Sequence, residues 1–152
     1  MHQASRALLI AVLLTVLGGA AFAAGPVSTN ADAPDLTAVR AKLKAKQFVA
    51  ARDDLFKIVN SNEHADVFNL LGFSLRKTGD YKNALTFYQK ALALDPDHKG
   101  AHEYLGELYV ETSQLPKARE HLAKLVALCP AGCEEREDLE KAIAAAPGPK
   151  TN

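Results

Sequence analysis

The chain has 152 residues, 48% hydrophobic and 24% charged, which suits one small globular core and is too apolar for general disorder. Lysine plus arginine equals aspartate plus glutamate at 18 each, so the basic excess expected of a nucleic-acid binder is missing. Tryptophan is absent, and the abundance of Ala, Leu, Lys and Glu favours helix.

Met1–Arg6 is a short n-region with a positive charge, and Ala7–Leu17 is an apolar stretch ended by Gly18 and Gly19. Ala21-Phe22-Ala23 then supplies the small-x-small pattern that signal peptidase needs. A secretory signal peptide over 1–23 is expected, cut between Ala23 and Ala24. The alternative is an uncleaved membrane anchor, against which the apolar run is short. No cysteine follows the cut, which argues against a lipoprotein. The segment resembles a bacterial export signal. That resemblance implies a periplasmic or secreted protein with no stable membrane span once the leader is removed. Residues 24–33 are read as a flexible linker, aperiodic and rich in Pro, Ser, Thr, Asn and Asp.

From there to Ala146 the chain is expected to be almost continuously helical, and an internal repeat organises it. Residues 65–98 set above 99–132 align at a constant offset of 34. Phe68 faces His102, Leu71 faces Leu105, Gly72 faces Gly106 and Leu75 faces Tyr109. Ala84 faces Ala118, Tyr88 faces Leu122 and Pro96 faces Pro130. With Ala91, these positions resemble the tetratricopeptide repeat family, whose consensus places Trp, Leu, Gly, Tyr, Ala, Phe, Ala and Pro there. The second copy departs at His102, in place of the first aromatic, and at Leu125, in place of the last Ala. The resemblance implies an all-α solenoid that binds other proteins and carries no active site.

The spacing has physical content. Leu71 and Leu75 are i,i+4 on one helix, and Tyr88 and Ala91 are i,i+3 on the next, so two apolar stripes face each other. Gly72 and Ala84 are small where the helices cross. Gly79 suits the left-handed residue that ends the first helix, and Asp80 caps the second. Pro96 stops it. In the second copy Ser113 or Gln114 is expected to cap, with Pro116 in the first helical turn.

Upstream, residues 34–64 read as a degenerate first repeat. At an offset of 33, Phe48 aligns with Tyr81, Ala51 with Ala84, Leu55 with Tyr88 and Ile58 with Ala91. Its first helix, near Asp35–Ala45, has Ala38 and Val39 where the Leu-Gly pair belongs. Downstream, residues 133–146 read as a capping helix. Glu134, Glu135, Glu137 and Asp138 favour its N-terminus, and Leu139, Ala142, Ile143 and Ala146 form its apolar stripe. Such a cap keeps the end of a solenoid soluble. Residues 147–152, with Pro147-Gly148-Pro149, are read as a disordered tail. The whole is a solenoid of about three helix-turn-helix repeats plus a cap.

No glycine-rich phosphate loop, Gly-x-Ser-x-Gly or His-Glu-x-x-His motif is present, so neither an enzyme nor a cofactor is expected. His64, His98, His102 and His121 are scattered and read as surface or partly packed residues, His102 packing between helices. Cys129 and Cys133 flank a Pro-Ala-Gly turn. An oxidising compartment favours a disulfide between them; a reduced Cu(I) site or a redox-active pair are the alternatives. The last two support a second class of function, a small thiol- or copper-handling periplasmic protein.

By the family pattern, the first helices of successive repeats line a concave face that binds an extended peptide or a partner's helix. The resemblance places Asn69, Phe73, Arg76 and Lys77 on that face in the well-formed repeat. Glu103, Tyr104, Glu107 and Glu111 follow in the next, and Arg40 and Lys44 upstream. Glu103, Glu107 and Glu111 form an i,i+4 acidic ladder. The groove is therefore expected to run from basic and aromatic at its N-terminal end to acidic at its C-terminal end. That pattern suits a partner with a basic segment. It does not suit the Lys/Asn/Arg clamp with which some family members hold a chaperone's C-terminal carboxylate. The same charges on an ordinary solvated helix face are the plain alternative.

Overall fold

The computed structural model describes residues 33–147. The expected leader at 1–23, the linker at 24–32 and the tail from Gly148 onward lie outside the described residues. Seven helices follow one another, with no strand among the described residues. They are α1 (Thr37–Lys44), α2 (Phe48–Val59), α3 (Ala65–Lys77), α4 (Tyr81–Leu94), α5 (Lys99–Glu111), α6 (Leu115–Leu128) and α7 (Glu134–Ala144).

One turn geometry is used three times. Lys46, Gly79 and Ser113 all have positive φ, at 58°, 85° and 59°. In each case the following amide reaches back to close the same wide loop: Gln47 to the Lys42 carbonyl, Asp80 to Leu75, Gln114 to Tyr109. The left-handed residue itself bonds to Leu43, Arg76 or Val110. This is the Schellman ending, which satisfies carbonyls that the helix leaves open. It shows that the degenerate segment turns as the regular repeats do, although only the middle copy has glycine.

The helix starts differ more. Asp80 caps α4, accepting the Asn83 amide at 3.2 Å. Neither Ser113 nor Gln114 caps α6 by its side chain. Ser113 is committed to the left-handed turn, and the Gln114 amide is engaged with Thr112 and Lys117. Two histidines read as surface or partly packed residues prove to be caps. His64 Nδ1 accepts the Asp66 amide of α3, and His98 Nδ1 accepts the Ala101 amide of α5.

α1/α2, α3/α4 and α5/α6 form antiparallel hairpins, and α7 packs on both α5 and α6. Along the stack α3 touches α5 and α5 touches α7, while the second helices α4 and α6 share no comparable contact. The first helices therefore form the inner layer. Tyr88, Leu55, Leu71, Leu125 and Leu139 are fully buried, each worth about 1.5–3 kcal/mol of burial. Ala51, Ala84 and Ala118, one in each second helix, are also fully buried. A Cβ on Gly72 would lie 2.7 Å from the Tyr88 ring, which explains the glycine. Gly106 faces α7 instead, where a Cβ would lie 2.5 Å from Leu139. Leu122, aligned with Tyr88, is only half-buried, because Leu139 of the next helix fills the space at Gly106. In α1, Val39 is buried and Ala38 is exposed. No described helix is long and apolar enough to cross a membrane.

Candidate functional site

The inner layer is joined near the start of its helices by a polar chain. Arg40 of α1 lies 3.5 Å from Asp66 of α3, and Asp66 accepts from His98 Nε2 at 3.0 Å. The His98 hydrogen bond holds the Asp66 carboxyl below the usual range, against the opposing effect of burial. His98 thus caps α5 with one ring nitrogen and ties it to α3 with the other.

Next along the layer come Asn69 and Glu103, exposed by only 4% and 8%. The Asn69 amide nitrogen lies beside Gly100, and its Oδ1 has no hydrogen-bond partner. Burial pushes the Glu103 carboxyl up to about 8, and the nearby charges of Glu107, Asp138 and Glu135 act in the same direction.

The centre is aromatic. Phe48 meets Phe73 edge-on at 6.0 Å between centroids, and Phe73 meets Tyr104 at 4.7 Å. All three rings are half-buried and run across α2, α3 and α5. Such a ladder offers apolar area with little side-chain entropy to lose on binding. Tyr104 has its phenol pushed up to about 12 by burial and by Glu103.

The far end differs from the expected separation of charges. Arg76 is buried, and its Nη1 donates to Glu111 at 2.6 Å while Nη2 donates to Glu107. Its Nε donates to the Tyr88 hydroxyl at 3.3 Å, and its guanidinium lies 5.5 Å and 5.8 Å from the Phe73 and Tyr104 centroids. Burial opposes the charge, but Tyr88, Glu107 and Glu111 outweigh it and keep the guanidinium firmly protonated. Arg76 therefore presents no free charge to a ligand and cancels much of the acidic ladder. Lys44 and Lys77 remain exposed, Lys77 lying 5.3 Å from the Phe73 centroid.

The acidity that remains gathers elsewhere. Arg40, Asp66, Asn69, Glu103 and Tyr104 line a pocket of about 310 Å³ with Glu134, Glu135 and Asp138 of α7. Sequence reasoning assigned those three only to the helix dipole. Extending the offset of 34 once more would have found them, since it carries Leu71 and Leu105 onto Leu139 and makes α7 another inner helix. Among the described residues, no group of three or more His, Cys, Asp or Glu side chains is placed to hold a metal ion.

Two other features lie outside this face. Cys129 and Cys133 face each other across the α6–α7 turn with Cα atoms 6.0 Å apart, a separation that a disulfide spans. His102 of α5 is buried, and its Nδ1 lies 2.8 Å from His121 Nδ1 of α6. The Pro96 carbonyl, 3.0 Å from His102 Nε2, only accepts. Neutral His102 must then carry its proton on Nε2, and His121 donates from Nδ1. Burial pushes His102 down, and burial with the neighbouring His102 pushes His121 down to about 4.

Paired helices stacked with their first members inward define a helical repeat scaffold. Tetratricopeptide repeat models match residues 36–97 and 75–128. The chain belongs to the tetratricopeptide repeat family. It is 32% identical over 85 residues to BBSome complex member BBS4 of Bos taurus, over 56% of this chain and 16% of that protein. It is 29% identical over 85 residues to a TPR repeat-containing protein of Borreliella burgdorferi, over 55% of this chain and 37% of that one. The chain thus spans well under half the length of these curated relatives. In fold it matches PcrH in complex with the chaperone binding region of PopD, with a TM-score of 0.60 at 18% identity over 70% of this chain and 81% of that. It matches MamA equally, with a TM-score of 0.60 at 20% identity over 73% of each chain.

Proposed function

We propose that this protein is a non-catalytic scaffold of the cell envelope that docks a segment of a partner protein along its inner helical face. The carrying observation is the half-buried ladder of Phe48, Phe73 and Tyr104, with the exposed Lys77 beside Phe73 and acidic side chains around the pocket that Tyr104 lines. An extended or helical segment would gain apolar contact from the rings, while the charges set its register. The structural likeness to PcrH, which was solved with a segment of PopD, supports this mode of use. The carboxylates beside Glu103, Glu134 and Glu135 among them, favour a partner with a basic segment. The envelope location rests on the export signal read at 1–23. In that oxidising setting the Cys129–Cys133 bond holds α7, and with it one wall of the acidic pocket, against α6.

The test is chemical cross-linking in intact cells followed by recovery of the protein from the envelope. A discrete partner should be captured by the wild type and lost on Phe73→Ala/Tyr104→Ala, with helical content unchanged. Capture that is indifferent to both rings would contradict the docking face.

A further inference from the structure

The pocket between α3, α5 and α7 has a chemistry of its own. Five carboxyl groups line it, from Asp66, Glu103, Glu134, Glu135 and Asp138, with the single guanidinium of Arg40. Arg40 and His98 both engage Asp66, and Lys141 pairs with Asp138 from outside the pocket, which leaves Glu134 and Glu135 without a cation among the lining residues. Two of the lining groups are more than nine-tenths buried. The Asn69 Oδ1 is buried and has no hydrogen-bond partner. Buried acceptors without donors are uncommon in folded proteins and call for an explanation. Here the missing component is a donor, and the carboxylates of Glu134 and Glu135 among the lining residues favour a cationic one. No cluster around it has metal-ligand placement, which points to an organic cation.

We propose that this pocket receives one arginine side chain of the partner segment, its guanidinium set among Asn69, Glu103 and the α7 carboxylates. A guanidinium has five donors in a planar fork, which matches several carboxylates and an amide oxygen better than a single ammonium does. Tyr104 also lines the pocket. A volume of about 310 Å³ is at the small end for ligand pockets, which suits a side chain rather than a folded segment. The inference rests on the docking reading and deepens it: the aromatic ladder holds the segment, and the pocket selects a residue within it. It also assigns α7 a part in binding, since three of the five carboxylates come from that helix.

N-acetyl-arginine amide serves as probe, titrated into the full isotope-labelled chain and followed by amide chemical shifts. Saturable shifts are expected at Asn69, Gly100, Glu103 and Asp138, weakening as salt is raised. N-acetyl-citrulline amide, neutral and of nearly the same shape, should produce none. The Glu103→Gln/Glu135→Gln variant should weaken the arginine response by about tenfold while its helical spectrum is unchanged. Shifts that are matched by citrulline, that persist in this variant, or that calcium alone reproduces at the same residues would overturn the proposal. If the probe gives no saturable shift while partner capture still depends on Phe73 and Tyr104, the pocket assignment falls and the docking face stands. If arginine binds as expected while capture ignores the rings, the pocket stands and the ladder reading falls.

Discussion

Replacing Glu103 with glutamine removes a carboxyl whose ionisation is opposed by burial and by nearby carboxylates, in a pocket lined by four other acidic side chains. In the folded chain the Glu103 proton is retained up to about pH 8, against an ordinary value near 4.5. Between those values the folded state binds more protons than the unfolded one. The contribution of this group is therefore fully present below pH 4.5 and is lost as pH rises towards 8. At 1.36 kcal/mol per pH unit the ceiling is roughly 5 kcal/mol. The pocket is open to water, so screening reduces this to about 1–2 kcal/mol. Glutamine has nearly the same shape and no charge to bury. Thermal melts of the wild type and Glu103→Gln should coincide near pH 4.5, whereas at pH 8 the variant should melt roughly 5 °C higher. A variant that melts at or below the wild-type temperature at pH 8 would refute the claim that the fold holds this carboxyl against its charge.

His102→Phe restores the aromatic of the family pattern and removes the imidazole pair. Both histidines are held below their ordinary value, so their contribution is full above about pH 6.5 and is lost as pH falls towards 4. Melts across that range should show a shallower acid loss in the variant than in the wild type. Gly79→Ala should cost about 1 kcal/mol, while Lys46→Gly and Ser113→Gly, at the same left-handed position, should each gain roughly 0.5–1 kcal/mol in denaturant titrations. Arg76→Met should destabilise by about 2–4 kcal/mol, since it strips Glu107 and Glu111 of their common partner; near-neutral denaturation would show that the clamp is not formed. Thiol titration of exported protein should find no free thiol before reduction and two after; two thiols without reductant would rule out the Cys129–Cys133 bond.

The regular repeats were legible because their determinants are local and periodic. Leu71, Gly72, Ala84 and Tyr88 each mark one contact between neighbouring helices, and all four are buried where the pattern puts them. The capping helix was legible from its stripe, and Leu139 is fully buried. Charge placement on the inner face was harder to read. Sequence spacing put Arg76 and the Glu107–Glu111 ladder on the same face but did not show that they meet, because the distance between them depends on how closely α3 and α5 pack. The caps formed by His64 and His98 were concealed by residue type, since Ser, Thr, Asp and Asn are the usual signals there. Their separation of 34 residues was the available clue. Glu135 and Asp138 were hidden because a terminal helix invites a stability reading, and only its packing beside α5 turns it into a wall of the pocket.

Docking on the inner face requires that residues of that face, and not those of the outer helices, lie against the partner. A photo-cross-linking residue placed at Lys77 on that face, and separately at the exposed Gln89 of α4, tests it directly in exporting cells. One discrete adduct is expected from Lys77, containing a segment with a basic residue, and none from Gln89. Equal adducts from both positions, or adducts from Gln89 alone, would contradict it.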